Sequence, residues 1–344
     1  MEAVIVGAGA AGLASARELQ RVGADFAVLD AAESLGQSWQ RRYDVLKLFT
    51  PARDCALPGM ALPCPSGSYP SKNDMARYLA AYAQRFAIAV RTRATVLRHE
   101  TVAGMHVLET TAGPVTARNL IVATGTCHYP SLPDFAAKVT PAVHQVHSAR
   151  YQRPSDLPAG PVLVVGAGAT GADIAQQLAA DRDTWLAGAS TGHVPSSIVR
   201  NRLVRSGIYR LPVPGGAIGR TLVDRWGRHG GPLIWQKEQD LLDRGVRRVP
   251  KVVGTDRVGW PLLADGRTLR VAAIVWCTGF DERIPWLSRA VLDVEGRPRH
   301  RRGISTQARG LAYVGRRWQR AWNSGFLGGM AGDGKHVVRA LLSC

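Results

Sequence analysis

The first thirty residues contain two apolar runs separated by a helical pattern. The first run, at 4–6, leads directly into three glycines spaced G-x-G-x-x-G, and apolar residues then recur every three or four positions from Leu13 to Leu19. The second run, at 27–29, ends in Asp30. This pattern predicts a strand, a helix and a second strand that pack together as one parallel unit.

Each glycine of this turn has its own physical reason. Gly7 permits the tight turn after the strand, Gly9 lets the backbone approach a pyrophosphate, and Gly12 lets the helix and strand pack closely. Free N–H groups at the start of the helix favour an anion there. Asp30 is placed to accept hydrogen bonds from the two hydroxyls of an adenosine ribose. These features predict a dinucleotide site rather than a glycine-rich turn without a ligand.

The same pattern returns near the middle of the chain, where an apolar run at 161–165 precedes a second glycine-rich turn. The candidate nucleotide-binding residues of this turn are Gly166, Gly168, Thr170 and Gly171. Two such units in one chain, the first of them at the N-terminus, predict FAD together with a nicotinamide nucleotide. The second strand of the second unit, at 184–188, has no acid at its end, which favours NADP over NAD.

Two further apolar strands end in a Thr-Gly pair, at 119–125 and at 270–280. Their turns supply four more candidates for cofactor contact, which are Thr124, Gly125, Thr278 and Gly279. Between the first Thr-Gly pair and the second glycine-rich unit lies a Pro-rich stretch, which is typical of a crossover between domains.

The elements together predict an α/β fold with two Rossmann-like dinucleotide-binding domains in a three-layer flavoprotein architecture. We expect a discontinuous FAD-binding domain, formed by 1–157 plus 272–344. An NADP-binding domain, at 158–271, would be inserted into it.

Charge narrows the range of partners. The formal net charge is +18, from 44 Lys and Arg against 26 Asp and Glu, which by itself would suggest nucleic-acid binding. However, only six of the basic residues are Lys, and the Arg residues are spread along the whole chain. We therefore expect a basic solvated surface that steers anionic cofactors, and no nucleic-acid partner.

Length and cysteine usage also limit the class of protein. A chain of 344 residues predicts two domains. No apolar run approaches the roughly 18 residues that a membrane span needs. The first strand begins close to Met1 and leaves no room for a signal peptide, so we expect a cytoplasmic protein without a transmembrane segment. The five cysteines show no C-x-x-C spacing, so neither a redox-active pair nor a metal site is expected.

Residues 36–51 are too irregular for a sheet strand and too aromatic for a disordered linker. We expect an ordered loop that covers a ligand. Trp39 in this loop is a candidate flavin contact, with core packing as the alternative. A helix is expected over 73–86, with Ser71 or Asn73 as its N-cap.

Taken together, these motifs resemble the flavin-containing monooxygenase family, the class B flavoprotein monooxygenases, and in particular a compact bacterial branch. The resemblance covers nearly the whole chain and rests on both glycine fingerprints, the loop at 36–51, both Thr-Gly turns and the Gly-rich C-terminus. The family's linker signature, F-x-G-x-x-x-H-x-x-x-[FY], is present in its second half, from His147 to Tyr151. In its first half, Pro141 and Val143 replace the Phe and the Gly.

The resemblance implies a flavoenzyme that binds FAD and consumes NADPH. NADPH would reduce FAD, O2 would add at flavin C4a, and the resulting hydroperoxide would oxygenate a small molecule at nitrogen, sulfur or a carbonyl group. The resemblance also implies catalytic roles for His147 and Tyr151. His147 would couple the two domains, so His147→Ala is expected to uncouple NADPH oxidation from product formation.

Two positions depart from the family pattern. Ala189 stands where relatives often place an Arg that holds the 2′-phosphate, so the neighbouring Ser190 becomes the candidate phosphate ligand. Three arginines could assist it: Arg200, Arg202 and Arg205. Near the C-terminus a Gly-Asp-Gly-Lys run replaces the usual Gly-Arg-Asp-Ala, and Asp333 is matched to an acid near the flavin.

Two other functions stay open on the sequence. One is a flavin-dependent NAD(P)H oxidase or reductase without oxygen insertion, which the altered linker and phosphate positions would suit. The other is a nucleotide-binding scaffold without turnover, which the intact glycines and Asp30 disfavour. The sequence does not identify the substrate and does not decide whether the chain forms a homodimer.

Overall fold

The computed structural model describes residues 1–195, 197, 198, 201, 204, 207, 210–214 and 230–343. Its strands, numbered in chain order, are β1 (Ala3–Val6), β2 (Phe26–Leu29), β3 (Val90–Arg91), β4 (Val96–Val102), β5 (Met105–Thr110), β6 (Val115–Ala117), β7 (Asn119–Val122), β8 (Tyr129–Pro130), β9 (His144–His147), β10 (Val162–Val165), β11 (Thr184–Ala187), β12 (Val246–Val249), β13 (Val252–Thr255), β14 (Pro261–Leu263), β15 (Ala273–Trp276), β16 (Phe280–Asp281), β17 (His300–Arg301), β18 (Ile304–Ser305) and β19 (Leu311–Tyr313). Its α-helices are α1 (Ala10–Arg21), α2 (Gln37–Gln40), α3 (Ala52–Cys55), α4 (Lys72–Arg85), α5 (Ala169–Leu178), α6 (Glu238–Asp243) and α7 (Leu327–Leu342). Short 3₁₀ helices cover Asp134–Lys138, Pro154–Asp156 and Arg289–Val291.

The first sheet has the strand order β17-β18-β19-β7-β1-β2-β3. Its five strands from β19 to β3 are parallel, and β17 and β18 extend one edge in antiparallel fashion. The central strand β1 is buried along its whole length, as expected for a parallel strand that is covered on both faces.

Alternate residues of β1 show which layers cover the two faces. Ile5 packs in a core with Leu13 of α1 and residues of α4 and α7. Val4 and Val6 point the other way, because successive side chains of a strand alternate between faces. They pack against the antiparallel sheet β4-β5-β6, for example on Leu108. Helices, parallel sheet and small antiparallel sheet form the predicted three-layer arrangement, so the predicted fold class is confirmed.

The second sheet has the order β12-β11-β10-β15-β9, and all its strands are parallel. Val162 and Val164 of β10 pack with Ile174 of α5. Leu163 and Val165 face the opposite side. This sheet therefore repeats the strand–turn–helix arrangement of the first.

The sheets also correct the predicted domain limits. β9 and β15 both pair within the second sheet, although they lie outside the limits of 158–271 that were predicted for the second domain. β15 was assigned to the first domain because its Thr-Gly ending resembles that of β7, but β7 belongs to the first sheet and β15 to the second. β9 was missed because it is a mostly polar edge strand within a Pro-rich stretch. Between the sheets, β8 pairs with β16 and forms a two-stranded connection.

Helix α4 begins at Lys72, close to its predicted start. Ser71 is its N-cap: its hydroxyl accepts a hydrogen bond from Asp74 N, and Asp74 Oδ2 accepts one from Ser71 N. This capping box confirms Ser71 over Asn73. Among the described residues, no helix has the length and apolar character that crossing a membrane requires.

Candidate functional site

The first glycine turn lies at the carboxyl end of β1. Gly7 has φ +106°, and a Cβ there would stand 2.5 Å from the carbonyl oxygen of Ala123. A Cβ on Gly12 would stand 1.8 Å from the carbonyl oxygen of Gly7. Gly9 is different, because a Cβ there would meet nothing within 4 Å. Gly7 and Gly12 are thus required by the packing of strand against helix, whereas the space beside Gly9 is open.

Asp30 lies beside this open space, directly after β2. Its Oδ2 accepts a hydrogen bond from Ala8 N at 2.6 Å, and its Oδ1 accepts one from Ala32 N at 2.8 Å. Helix α1 begins after Gly9 without a side-chain cap. The first turn of a helix leaves N–H groups unpaired, and they favour an anion. The donor set and the carboxylate therefore fit the pyrophosphate and ribose of FAD.

The second glycine turn repeats the backbone of the first. Gly166 has φ +110°, and a Cβ there would stand 2.4 Å from the carbonyl oxygen of Cys277. A Cβ on Gly171 would stand 1.8 Å from the carbonyl oxygen of Gly166. Helix α5, like α1, begins after a glycine without a side-chain cap. The turn has the geometry that a second dinucleotide requires.

A chain segment lies across this second turn. Gly168 is close to Gly231, whose carbonyl oxygen would be 3.4 Å from a Cβ on Gly168. The same oxygen accepts hydrogen bonds from Ala169 N at 3.2 Å and from Thr191 Oγ1 at 3.2 Å. A nucleotide pyrophosphate at the start of α5 would therefore have to replace the Gly231 carbonyl.

An ion pair that the sequence does not predict lies at the end of β11. Ser190, the predicted phosphate ligand, is exposed there. Glu238 from α6 and Arg248 from β12 reach the same strand end and form an ion pair of 2.7 Å. No local motif signals this pair, because it depends on how α6 and β12 pack beside β11. The other predicted phosphate ligands, Arg200, Arg202 and Arg205, lie outside the described residues.

The two Thr-Gly turns lie where the chain passes between the domains. Gly125 and Gly279 both have positive φ, at +76° and +82°. Thr278 Oγ1 donates to the carbonyl oxygen of Ser131, and Ser131 N donates to that of Gly279 at 3.0 Å. The carbonyl oxygen of Thr124 contacts His128 Nε2. The turns therefore order the β8–β16 connection.

His147 ends β9 and lies against this connection. It is buried, and its Nδ1 accepts a hydrogen bond from Ala149 N at 3.1 Å. Its ring packs edge-on against Phe280 of β16, with 5.1 Å between centroids. The guanidinium of Arg42, from the first domain, lies 5.6 Å from the centroid of the same Phe280 ring. Burial lowers the pKa of His147, so the imidazole is neutral at neutral pH.

Tyr151 does not fit the catalytic role that the resemblance implied. It has no exposed surface and packs in the core of the second domain. Its hydroxyl donates to Gln177 Oε1 of α5 at 3.0 Å. A group so enclosed does not reach a substrate, so we assign Tyr151 to the packing of the linker on α5. The spacing from His147 carries no information about whether Tyr151 is exposed.

A polar contact between the domains was also missed by sequence reasoning. Tyr43, from the loop after α2, is buried in the core of the second domain. Its hydroxyl donates to Asp173 Oδ2 of α5 at 2.9 Å, and Gln236 Nε2 donates to Asp173 Oδ1 at 2.8 Å. Burial raises the pKa of Asp173. The aromatic composition of 36–51 indicates an ordered loop. It does not identify Asp173 as the partner of Tyr43, because the two residues are 130 positions apart.

The rest of that loop is fixed by the first domain. Lys72 is buried, and its Nζ donates to the carbonyl oxygen of Gln40 at 3.1 Å and to Asp44 Oδ1 at 2.7 Å. Gly36 packs so closely on α4 that a Cβ would stand 2.5 Å from the carbonyl oxygen of Ala76. Trp39 is partly buried against the first core. Its observed contact is therefore the core packing that was given as the alternative.

Asp333 does not face a cofactor space. It has no exposed surface, and its Oδ1 accepts hydrogen bonds from Arg320 Nε at 2.8 Å and from Ser324 Oγ at 3.1 Å. Burial raises its pKa. The carboxylate thus anchors the segment before α7 onto that helix. Matching by sequence position placed an acid near the flavin, but the acid points into the protein.

Comparison with known proteins agrees with this geometry. A family model described as pyridine nucleotide-disulphide oxidoreductase matches residues 4–186, more than half of the chain. The chain belongs to this family. An uncharacterized CzcO-like oxidoreductase of Geobacillus kaustophilus is 31% identical over 347 residues, covering 100% of this chain and 99% of that protein.

Two further similarities concern flavin monooxygenases. The indole-3-pyruvate monooxygenase YUCCA1 of Oryza sativa subsp. japonica is 36% identical over 203 residues, covering 58% of this chain and 48% of that protein. The solved structure of a flavin-containing monooxygenase from Stenotrophomonas maltophilia matches with a TM-score of 0.80 at 25% identity, covering 99% of this chain and 98% of that one. The chain is an FAD-dependent oxidoreductase of the flavin monooxygenase-like kind, which confirms the predicted family.

The four described cysteines of this oxidoreductase form no disulfide, although the family is named for disulphide chemistry. Cys55, Cys64, Cys127 and Cys277 are free within the described part of the chain. Burial raises the pKa of Cys55 to about 11 and that of Cys277 to about 12. These two thiols are protonated at neutral pH and are poor nucleophiles.

Proposed function

We propose that this chain is an NADPH-consuming flavin monooxygenase that uses O2 to oxygenate a small molecule at nitrogen, sulfur or a carbonyl group. The observation that carries the proposal is the pair of equivalent glycine turns, one on each parallel sheet, joined by β8 and β16. FAD is assigned to the first turn because Gly9 faces open space and Asp30 presents a carboxylate beside it. The nicotinamide nucleotide is assigned to the second turn.

The protein's part is to bind, orient and exclude water, while FAD supplies the redox and oxygen chemistry when bound. N–H groups at the start of α1 would hold the pyrophosphate, and Asp30 would accept hydrogen bonds from the ribose. Helix α7 begins after Phe326 without a side-chain cap. Its positive end would favour negative charge on a reduced flavin placed beside it.

Because reacting groups must be held in close contact, the residues that fix the two domains relative to each other would decide whether the two cofactors can react. His147 is proposed to maintain that position through Phe280 and the overlying Arg42. The hydrogen bond from Tyr43, the next residue of the same loop, to Asp173 of α5 would act in the same way. These residues position the domains and are not proposed to react.

The test is a two-step rapid-reaction experiment on the purified flavoprotein. The protein is reduced anaerobically with NADPH and then mixed with oxygenated buffer while absorbance is recorded. We expect a long-lived near-ultraviolet band from an oxygenated flavin, whose decay quickens when a suitable amine, thioether or ketone is added.

Two outcomes would contradict the proposal. Direct return to oxidised flavin with release of H2O2 would favour a flavin-dependent oxidase or reductase. Purified protein that retains no FAD and binds none when it is added would favour a nucleotide-binding scaffold without turnover.

A further inference from the structure

The carboxyl end of β11 is where the adenosine ribose of a nucleotide on the second turn would lie. β11 is followed by Gly188 and Ala189, neither of which carries a polar side chain. Gly188 has φ +126° and lies against Ala167 of the glycine turn. The chemistry of this strand end must therefore come from side chains that other elements bring to it.

Arg248 of β12 is fixed beneath the strand end by three hydrogen bonds. It donates from Nη1 to the carbonyl oxygen of Leu186, from Nη2 to that of Gly188, and from Nε to Glu238 Oε1, each at 2.7 Å. Its side chain is 17% exposed, whereas that of Glu238 is 41% exposed. The guanidinium is thus directed at the chain's own acceptors, and the carboxylate is the more exposed member of the pair.

Glu238 is held in its ionised form. Hydrogen bonds from Arg248 and from the Ser190 side chain lower the pKa of its carboxyl. Ser190 is therefore hydrogen-bonded to a carboxylate. A strand end of this kind accepts hydrogen bonds from ribose hydroxyls and repels a phosphate in the same place.

We infer that Glu238 is the residue that sets the coenzyme preference of the second nucleotide site. Its carboxylate accepts hydrogen bonds from the 2′- and 3′-hydroxyls of an unphosphorylated ribose and opposes a 2′-phosphate. The enzyme consequently uses NADH alongside NADPH, although β11 lacks the local acid by which such a site is recognised in a sequence. This inference rests on the proposed function, because it requires a nicotinamide nucleotide at the second turn.

The experiment measures binding of NADP⁺ and NAD⁺ to the FAD-loaded protein by calorimetry, for the wild type and for Glu238→Gln. The amide keeps the size of the side chain and an oxygen for Arg248 but removes the charge. We expect wild-type Kd values for the two nucleotides within about tenfold of each other, and NADP⁺ binding about tenfold tighter in the variant. The ratio of kcat/KM for NADPH over NADH should rise by the same factor.

Asp183→Asn is the matched control. Asp183 precedes β11 and pairs with Arg247 of β12 at 2.9 Å, so it forms the same kind of ion pair at the other end of the same two strands. Its removal should leave the NADP⁺/NAD⁺ ratio unchanged.

Three results would overturn the inference. A ratio that Glu238→Gln moves no further than Asp183→Asn would show that Glu238 does not set preference. A wild type that binds NADP⁺ more than about a hundredfold tighter than NAD⁺ would show the same. If neither nucleotide binds the FAD-loaded wild type, the second nucleotide site itself is wrong, and the proposed function fails together with the inference.

Discussion

The two glycine turns of this molecule share one backbone conformation and differ in the residues that surround it. In each turn the first glycine has positive φ, and a Cβ on the third would stand 1.8 Å from the carbonyl oxygen of the first. At the first turn the acid is local, because Asp30 directly follows β2. At the second turn β11 is followed by Gly188, which has no side chain, and the acid is Glu238 of α6. The strand–helix unit is therefore encoded locally, whereas the preference for a nucleotide depends on tertiary contacts.

The turns differ also in what lies over the middle glycine. The space beside Gly9 is open, whereas the carbonyl oxygen of Gly231 accepts a hydrogen bond from Ala169 N beside Gly168. A nucleotide entering the second turn must displace this contact, and one entering the first turn need not. The difference suits a flavin that stays bound and a nicotinamide nucleotide that enters and leaves.

The strongest test of the shared backbone is Gly12→Ala, compared with Gly9→Ala. The added methyl of Gly12→Ala would stand 1.8 Å from the carbonyl oxygen of Gly7, so α1 would have to move off the sheet. We expect a loss of about 3 kcal/mol or more in the free energy of unfolding, or no soluble protein. Urea denaturation of the purified variants would measure this.

Gly9→Ala serves as the control, since its methyl meets no atom of the chain within 4 Å. Its free energy of unfolding without flavin should stay within about 0.5 kcal/mol of the wild type, while its flavin content falls. A Gly12→Ala protein as stable as Gly9→Ala would contradict the packing argument.

Asp30→Asn tests whether the local acid holds the first cofactor. The carboxylate already accepts from Ala8 N and Ala32 N, and an amide would turn an N–H group towards one of those donors. We expect FAD to dissociate about ten- to a hundredfold more readily, which corresponds to about 1–3 kcal/mol. Flavin retained after gel filtration, and its Kd by fluorescence, would report the effect.

Asp25→Asn is the control for that experiment. Asp25 is exposed and lies at the opposite end of the same strand. If both variants lost flavin affinity by the same factor, the charge would act from a distance and not through contact with the cofactor.

The features that the sequence predicts are those that residues close together in the chain determine. The β1–α1–β2 unit and its repeat at β10 were recognised because apolar spacing and glycine positions are local properties. β9 was missed because its pattern, His-Gln-Val-His, is that of an edge strand with polar faces. The Tyr43–Asp173 and Glu238–Arg248 pairs could not be predicted, since each joins elements whose approach depends on the packing of whole layers. The burial of Asp333 could not be predicted for a similar reason, because its position along α7 does not reveal which way its side chain points.

A smaller comparison concerns a buried and an exposed histidine. In the first domain, His99 and His106 stack in the antiparallel sheet, with 2.9 Å between His99 Nε2 and His106 Nδ1. Burial, with the neighbouring His106, lowers the pKa of His99 to about 4, from an ordinary value of 6.5. In the second domain, His144 at the start of β9 is exposed.

Acid should therefore weaken the first domain through His99. Between pH 6.5 and 4 the unfolded chain binds a proton that folded His99 does not, so stability falls as pH falls, by about 1 kcal/mol per pH unit. Urea denaturation at pH 7.5, 6.5 and 5.5, monitored through the release of flavin, would measure how the free energy of unfolding changes with pH below 6.5. His99→Gln should flatten that slope by about 1 kcal/mol per unit, and His144→Gln should leave it unchanged. Equal slopes in the two variants would mean that the acid sensitivity does not arise from His99.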